Sequence, residues 1–278
     1  ESTKIAFQGF AGAYSDLACR SAYPEREPLP CNSFEDAFRA VQTGEAELAM
    51  IPVDNTLAGR VADVHHLLPE SGLYIIGEHF QPIHHALLGV KGTHVSELKH
   101  VHSHVHAIPQ CREMIRRLQL QAHVHADTAG AAEEIAQRGD RAHAAIASSL
   151  AAEIYGLDVL EEDVQDAEHN TTRFLILSRE ELIPAYTEDE VFLTSLIFRI
   201  RHIPAALYKA LGGFATNGLN MTKLESYIVP GFQVGQFYCE IEGHPDSRAL
   251  QLALEELDFF AEEVRRMGVY LAHPFRGE

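Results

Sequence analysis

Short, wholly apolar runs alternate with helical patterns along the first 178 residues, and runs of that kind fit a sheet that is covered on both faces. Lys4-Ile5-Ala6-Phe7-Gln8 reads as a strand entering a glycine-bearing turn, Gly9 to Ala13. A helix from Tyr14 to Tyr23 is stopped by Pro24. Ser33 caps a second, whose apolar positions Phe34, Ala37, Phe38 and Val41 keep helical spacing up to Gly44. Leu48 to Val53 is a buried strand, and further strands read at 74–79, 86–90 and 144–147. Helices are expected at 109–118, at 129–138 and through Ala151, Ala152 and Ile154. This alternation predicts an α/β domain with a largely parallel sheet over residues 1–180. The acidic stretch 181–190, broken by Pro184, reads as a linker. Beyond it the pattern is strand 191–201, helix 205–216, strands 219–228 and 232–242, helix 246–266 and strand 268–272. That βαββαβ order is the ferredoxin-like unit and predicts a separate domain over 191–278.

The charge balance narrows the partners. A net charge of −18 argues against a nucleic-acid binder, which needs a basic face, and against attraction to an anionic membrane. No apolar run approaches the roughly 20 residues that span a bilayer, and Glu1 to Gln8 does not read as a signal peptide, so a cytoplasmic chain is expected. Cys19, Cys31, Cys111 and Cys239 stand far apart with no Cys-x-x-Cys pair, which fits neither a zinc site nor a disulfide framework.

Three polar clusters interrupt the apolar strands. In Gly9-x-x-Gly12-x-Tyr14-Ser15, a tight turn at a helix start could offer backbone N–H groups to an anion, or could be only a turn. In Ile51-Pro52-Val53-Asp54-Asn55-Thr56-x-x-Gly59, a buried strand ends in a polar triplet, where open α/β sheets place their ligands. The alternative there is an Asx turn made by Asp54 or Asn55. In Asn170-Thr171-Thr172-Arg173-Phe174, a cation at a strand entrance either pairs with a carboxylate of the protein or clamps one on a ligand. Seventeen histidines are the compositional oddity. His100, His102, His104 and His106 alternate and would share one strand face, with His123 and His125 nearby. Such a face can take up Zn²⁺ or Ni²⁺, but no acidic or cysteine partner shares the motif, and no metal is assigned.

These clusters, in this order and ahead of a βαββαβ domain, resemble the prephenate dehydratase family from Ile5 to about His273. Further matching segments are Val61 after the Ile51 block, Ser103-His104 with Gln110, and Thr128-Ala129 with Ala131-Ala132. Tyr155-Gly156-Leu157 and Asn170-x-Thr172-Arg173-Phe174 complete the set. The usual Ser-His-Pro-Gln segment reads Ser103-His104-Val105-His106. The resemblance implies a two-lobed catalytic domain of the periplasmic-binding-protein-like type, followed by an ACT regulatory domain. It implies decarboxylating dehydration of prephenate to phenylpyruvate with no cofactor, because aromatisation supplies the driving force. Thr172, Asn55, Arg173, Ser103 and Gln110 would be the catalytic set, and Thr56, Tyr14, Ser15, Thr171 and Phe174 would bind substrate. Thr172 would assist the leaving hydroxyl, and Arg173 would hold the pyruvyl carboxylate.

In the ACT-like part, the family's Gly-Ala-Leu-Val segment is represented by Ala205-Ala206-Leu207-Tyr208, and its Glu-Ser-Arg-Pro segment by Glu225-Ser226-Tyr227-Ile228. The resemblance implies L-phenylalanine as effector at Gly218, Leu219, Asn220, Glu225, Ser226, Ala206 and Leu207, in a homodimer or dimer of dimers. Nothing before Ile5 could hold chorismate mutase helices, so that second activity is not expected. Three competing readings stay open, the first two being an arogenate dehydratase and a non-catalytic aromatic-amino-acid sensor. A histidine-based metalloenzyme is the third.

Overall fold

In the computed structural model, which describes residues 3–231 and 233–277, the chain opens with β1 (Lys4–Gln8), α1 (Tyr14–Ala22), β2 (Glu27–Cys31), α2 (Phe34–Thr43), β3 (Leu48–Asn55), β4 (Gly59–Arg60) and α3 (Ala62–Leu67). It continues through β5 (Tyr74–Pro82), β6 (Ala86–Gly89), β7 (His100–His104), α4 (Arg112–Arg117), β8 (Gln121–His125), α5 (Thr128–Arg138), β9 (His143–Ala147), α6 (Ser149–Tyr155), β10 (Asp158–Glu161) and β11 (Thr171–Ser178). The local rules are visible in α2. Ser33 Oγ accepts from the Asp36 N–H at 3.1 Å, Gly44 ends the helix with φ +82°, and Ala37, Phe38, Ala40 and Val41 face inward.

The chain forms two compact units that are not separated at a single point. The first runs to His66 and resumes over His79–Leu175, and the second joins Leu67–Glu78 to the chain from Ile176 onward. Within the first unit two sheets make two lobes. One has the order β2-β1-β3, all parallel, with β11 beside β3. Ile5, Phe7, Val41, Met50 and Ile51 are fully buried around it. The other has the order β10-β6-β9-β7-β8 and its own core of Leu87, Val101, Cys111, Met114 and Ile146. The chain passes between the lobes twice, and the Ile83 N–H on one passage donates to the Asn170 carbonyl on the other at 2.8 Å.

Pro28 and Pro30 argue against a strand at Glu27–Cys31, yet β2 pairs with β1 along its whole length. The reason is position: β2 is the last strand of its sheet, and proline is tolerated on an edge. The Glu27 N–H donates towards β1, to the Thr3 carbonyl at 3.2 Å.

The second unit contains β12 (Phe192–Ile200), α7 (Ala206–Thr216), β13 (Met221–Val229), β14 (Gln233–Glu242), α8 (Arg248–Phe260) and β15 (Ala261–Leu271). Its sheet order, β13-β14-β12-β15, is antiparallel and ferredoxin-like. Leu196, Phe198, Phe237, Cys239 and Ile241 form one core with Ala210, Phe214, Leu250, Ala253 and Leu257 of the two helices. Two expectations shift here. The strand expected from residue 232 is described from Gln233, residue 232 lying outside the described residues. The helix expected over 246–266 ends at Phe260, because Ala261 to Arg266 pair with β12 instead.

Leu67–Glu78 belongs with this unit for identifiable reasons. Ile75 pairs with Gly268 in parallel, Arg265 Nη2 donates to the Pro69 carbonyl at 2.6 Å, and Arg276 forks onto the buried Glu78 at 2.7 and 2.9 Å. No helix among the described residues is long and apolar enough to cross a membrane.

Ala205, immediately before α7, has φ +59° and ψ +23°, the left-handed region. An L side chain there carries a cost that glycine does not. Ala205→Gly is expected to stabilise the protein by about 1 kcal/mol, read as a higher urea midpoint. An unchanged or lower midpoint would show that the backbone is relaxed at this turn.

Candidate active site

Asn55 satisfies both readings that its sequence position allows. Its Oδ1 accepts from the N–H groups of Leu57 (2.9 Å) and Ala58 (2.8 Å), which is an Asx turn closing β3. Two backbone donors on one oxygen fix the carboxamide, so the amide nitrogen must face the other way. There Nδ2 donates to Asn170 Oδ1 at 2.8 Å and to Thr172 Oγ1 at 2.9 Å. Asn170 Nδ2 in turn donates to Gln110 Oε1 at 2.9 Å. The Thr172 oxygen is thus an acceptor towards Asn55, and its hydrogen is left to be donated elsewhere.

This network joins the two lobes. Asn55 and Thr172 come from β3 and β11, and Gln110 from the 3₁₀ turn Ile108–Gln110 that follows β7. Thr56 and Thr171 brace it. The Thr171 N–H donates to Thr56 Oγ1 at 3.0 Å, the Thr56 N–H donates to the Thr171 carbonyl at 3.1 Å, and Thr56 Oγ1 donates to the His169 carbonyl at 3.2 Å.

On the far side of Gln110 stands His85, which the sequence reading passes over. Its Nε2 lies 2.8 Å from Gln110 Oε1 and its Nδ1 2.5 Å from the Tyr14 hydroxyl. Burial holds the His85 imidazole below its usual titration range and pushes the Tyr14 phenol well above its own. Tyr14 therefore joins the site, with Ser15 half-buried beside it in the first turn of α1.

The other expected residues lie differently. Ser103 is fully buried, and its hydroxyl donates to the Ile146 carbonyl at 2.6 Å, so it secures β7 against β9 rather than entering the network. Arg173 follows Thr172 in β11, where successive side chains take opposite faces. It is buried and already engaged by the protein. Phe174 is a core residue, 1% exposed. In the glycine turn, the Gly12 N–H donates to the buried carboxylate of Asp16 at 2.8 Å, the Gly9 N–H to the Cys31 carbonyl at 2.9 Å, and the Ala13 N–H to the Phe10 carbonyl at 3.0 Å. These three donors are spent within the protein.

The residues expected to hold an effector are spread over the second unit. Ala206 and Leu207 pack into its core from the first turn of α7. Gly218 takes φ +68° after that helix, Leu219 packs on the same core, and Asn220 is exposed. Glu225 lies 3.8 Å from Lys223 Nζ, and Ser226 is exposed on β13.

The histidines form a cluster of their own on the second lobe. Strand register sets His102 beside His123 and His100 beside His143, a member the alternation does not reveal. His100 stacks on His143 at 4.4 Å and His102 on His123 at 4.7 Å between ring centres. His106 lies past the end of β7, in the following turn. Among the described residues no group of three or more His, Cys, Asp or Glu is placed to hold a metal ion. Burial first, then the neighbouring His123, His143 and Arg138, lowers His102 from the usual 6.5 to about 4. An unfolded chain binds this proton from pH 6.5 downwards and the folded one resists it, so stability falls as pH drops from 6.5 towards 4. Urea midpoints at pH 7 and 5 are expected to show this loss, and His102→Gln to reduce it. An equal loss in the variant would remove His102 from the effect.

Comparison with known proteins places this geometry. The family model for prephenate dehydratase matches residues 5–182. A bifunctional N-acyl-homoserine lactone acylase/prephenate dehydratase of Komagataeibacter europaeus is 51% identical over 98% of this chain and 97% of its own length. Arogenate dehydratase/prephenate dehydratase 1 of Arabidopsis thaliana is 38% identical over 96% of this chain and 71% of its own. The structure of prephenate dehydratase from Arthrobacter aurescens in complex with L-Phe superposes with a TM-score of 0.88 at 28% identity, covering 97% of this chain and 90% of that one. A two-lobed α/β unit with its polar network between the lobes is thus the framework of a lyase-type enzyme. The chain belongs to the prephenate dehydratase family.

Proposed function

We propose that this site converts prephenate to phenylpyruvate with release of carbon dioxide and water. The observation that carries the reading is the Thr172 hydroxyl, whose oxygen is filled by Asn55 and whose hydrogen is therefore presented as a donor. As the ring carboxylate leaves as CO₂, its C–C bonding pair enters the ring, and aromatisation expels the ring hydroxyl. That oxygen leaves with the C–O pair and needs a proton to become water. A threonine alcohol is too weak an acid to supply it outright, so Thr172 acts by hydrogen bond and solvent provides the proton. A donor aimed at charge that develops only in the transition state is the kind that accelerates a reaction.

Asn55 and Gln110 orient the ring, and Thr56 and Thr171 hold the Asn55 turn in place. Arg173 places a positive charge on the strand that carries Thr172, and that charge favours a dianionic substrate although the side chain is buried and engaged within the protein. Arg173→Lys keeps that charge and loses the planar fork, so it is expected to raise KM more than it lowers kcat. An unchanged KM would leave Arg173 a purely structural residue.

The second unit we read as an ACT domain that binds L-phenylalanine in a homodimer or dimer of dimers. Its βαββαβ order and the L-Phe complex of the Arthrobacter aurescens relative support this. The test is phenylpyruvate release from prephenate, with arogenate in parallel, each with and without L-phenylalanine, after chelator treatment. Turnover of prephenate slowed by phenylalanine is the expected result. Preference for arogenate would change the substrate, and phenylalanine binding without turnover of either would favour a sensor. The 51% relative supports a second reading, so an N-acyl-homoserine lactone forms a further arm. Its hydrolysis at equal rates by wild type and Thr172→Ala would put an acylase activity at another site.

A further inference from the structure

We propose that His85 is a positioning residue of this site, held as the Nε2–H tautomer so that its proton locks the carboxamide of Gln110 in one orientation. The argument is one of hydrogen-bond polarity, and it starts from groups with no choice. The backbone N–H groups of Leu57 and Ala58 occupy Asn55 Oδ1, which turns Asn55 Nδ2 towards Asn170 Oδ1. Asn170 must then offer its own amide nitrogen to Gln110, so Gln110 presents Oε1. His85 Nε2 meets that same oxygen at 2.8 Å and has to be the donor. Its Nδ1 is then bare and accepts from the Tyr14 hydroxyl at 2.5 Å, the shorter of the two contacts open to that single hydrogen, the other being the His84 carbonyl at 3.1 Å.

The opposite tautomer would set a nitrogen lone pair against Gln110 Oε1. Rotating Gln110 to relieve this would set its amide hydrogens against those of Asn170, and rotating Asn170 would repeat the conflict at Asn55, which the backbone fixes. Two runs of donors, one from the β3 turn and one from Tyr14, therefore converge on a single oxygen. Gln110 Nε2 is directed away from both Asn170 and His85. A buried ring, 3% exposed and set edge-on to Tyr14 with 5.3 Å between ring centres, has little freedom to do otherwise.

The inference builds on the site proposed above, but its test does not depend on the reaction. In protein labelled with ¹⁵N in the imidazole rings, at pH 7, His85 is expected to show a protonated Nε2 and a bare Nδ1. A proton on Nδ1, or a cationic ring, would overturn the proposal even if prephenate were not turned over. In kinetics, His85→Leu is expected to lower kcat on the order of 10²-fold through misplacement of Gln110, with a smaller effect on KM. His85→Gln, whose amide nitrogen can reach the place of Nε2, is expected to restore most of the loss. A fully active His85→Leu, or a folded His85→Gln as slow as the leucine variant, would overturn it. Should the leucine variant not fold, the glutamine variant and the ring spectrum decide.

Discussion

Replacing Thr172 by alanine is expected to lower prephenate turnover on the order of 10²-fold or more, the usual size of a lost proton-side contribution at a leaving group. The substitution deletes the donor that Asn55 leaves over, and it also leaves Asn55 Nδ2 without its 2.9 Å acceptor. The second consequence costs about 1 kcal/mol of stability, too little to unfold a domain of this kind, so kcat and folding can be read separately. Thr172→Ser keeps the oxygen and its hydrogen and is expected to retain most of the rate. If Thr172→Ala turned over like wild type, the polarised network would be a structural brace and the leaving group would be assisted from elsewhere.

The second large effect is expected at Gly268, where β15 meets β5. A Cβ placed there would fall on the carbonyl group of Ile75. The obstruction is backbone rather than a flexible side chain, so no rotamer change relieves it. Gly268→Ala is expected to destabilise on the order of 3 kcal/mol, read as a lower urea midpoint. Loss of native contacts between Leu67–Glu78 and the rest of its unit would accompany it, read by hydrogen exchange. A variant as stable as wild type would show that the two strands are not in such close approach. Gly268 has no left-handed backbone to betray it, and among nineteen glycines its role is invisible before the strands are set side by side.

That contrast runs through the whole chain. The alternation of apolar runs and the βαββαβ order are legible because they rest on periodicity, which short-range sequence carries. What local pattern cannot supply is partnership. Ala261 to Arg266 has the composition of a good helix, and pairing with β12 overrides it. Leu67–Glu78 precedes half of the first unit in sequence yet belongs to the second. Asn55 and Thr172 stand out because each abuts an apolar stretch, whereas Gln110 is marked only by the family resemblance. Ser103 stands out in the same way, but its hydroxyl is turned by the accident of lying against the Ile146 carbonyl. His85 is hidden by abundance, since a second histidine adjoins it and fifteen others compete for notice. Asn170 lies within a recognisable segment, but its role as relay between two lobes depends on Gln110, sixty residues away in the chain.

The prolines of β2 have a consequence for what can pair with that edge of the sheet. In a parallel pair, alternate residues direct their N–H groups to opposite sides of the strand, and Glu27 directs its own towards β1. Pro28 and Pro30 therefore stand where the outward donors of the edge would be, and proline has none to give. A foreign strand arriving there would find carbonyls with no matching donors between them. The first lobe is thus closed to strand addition along that margin by composition alone. Strand pairing between two copies is therefore disfavoured at this edge.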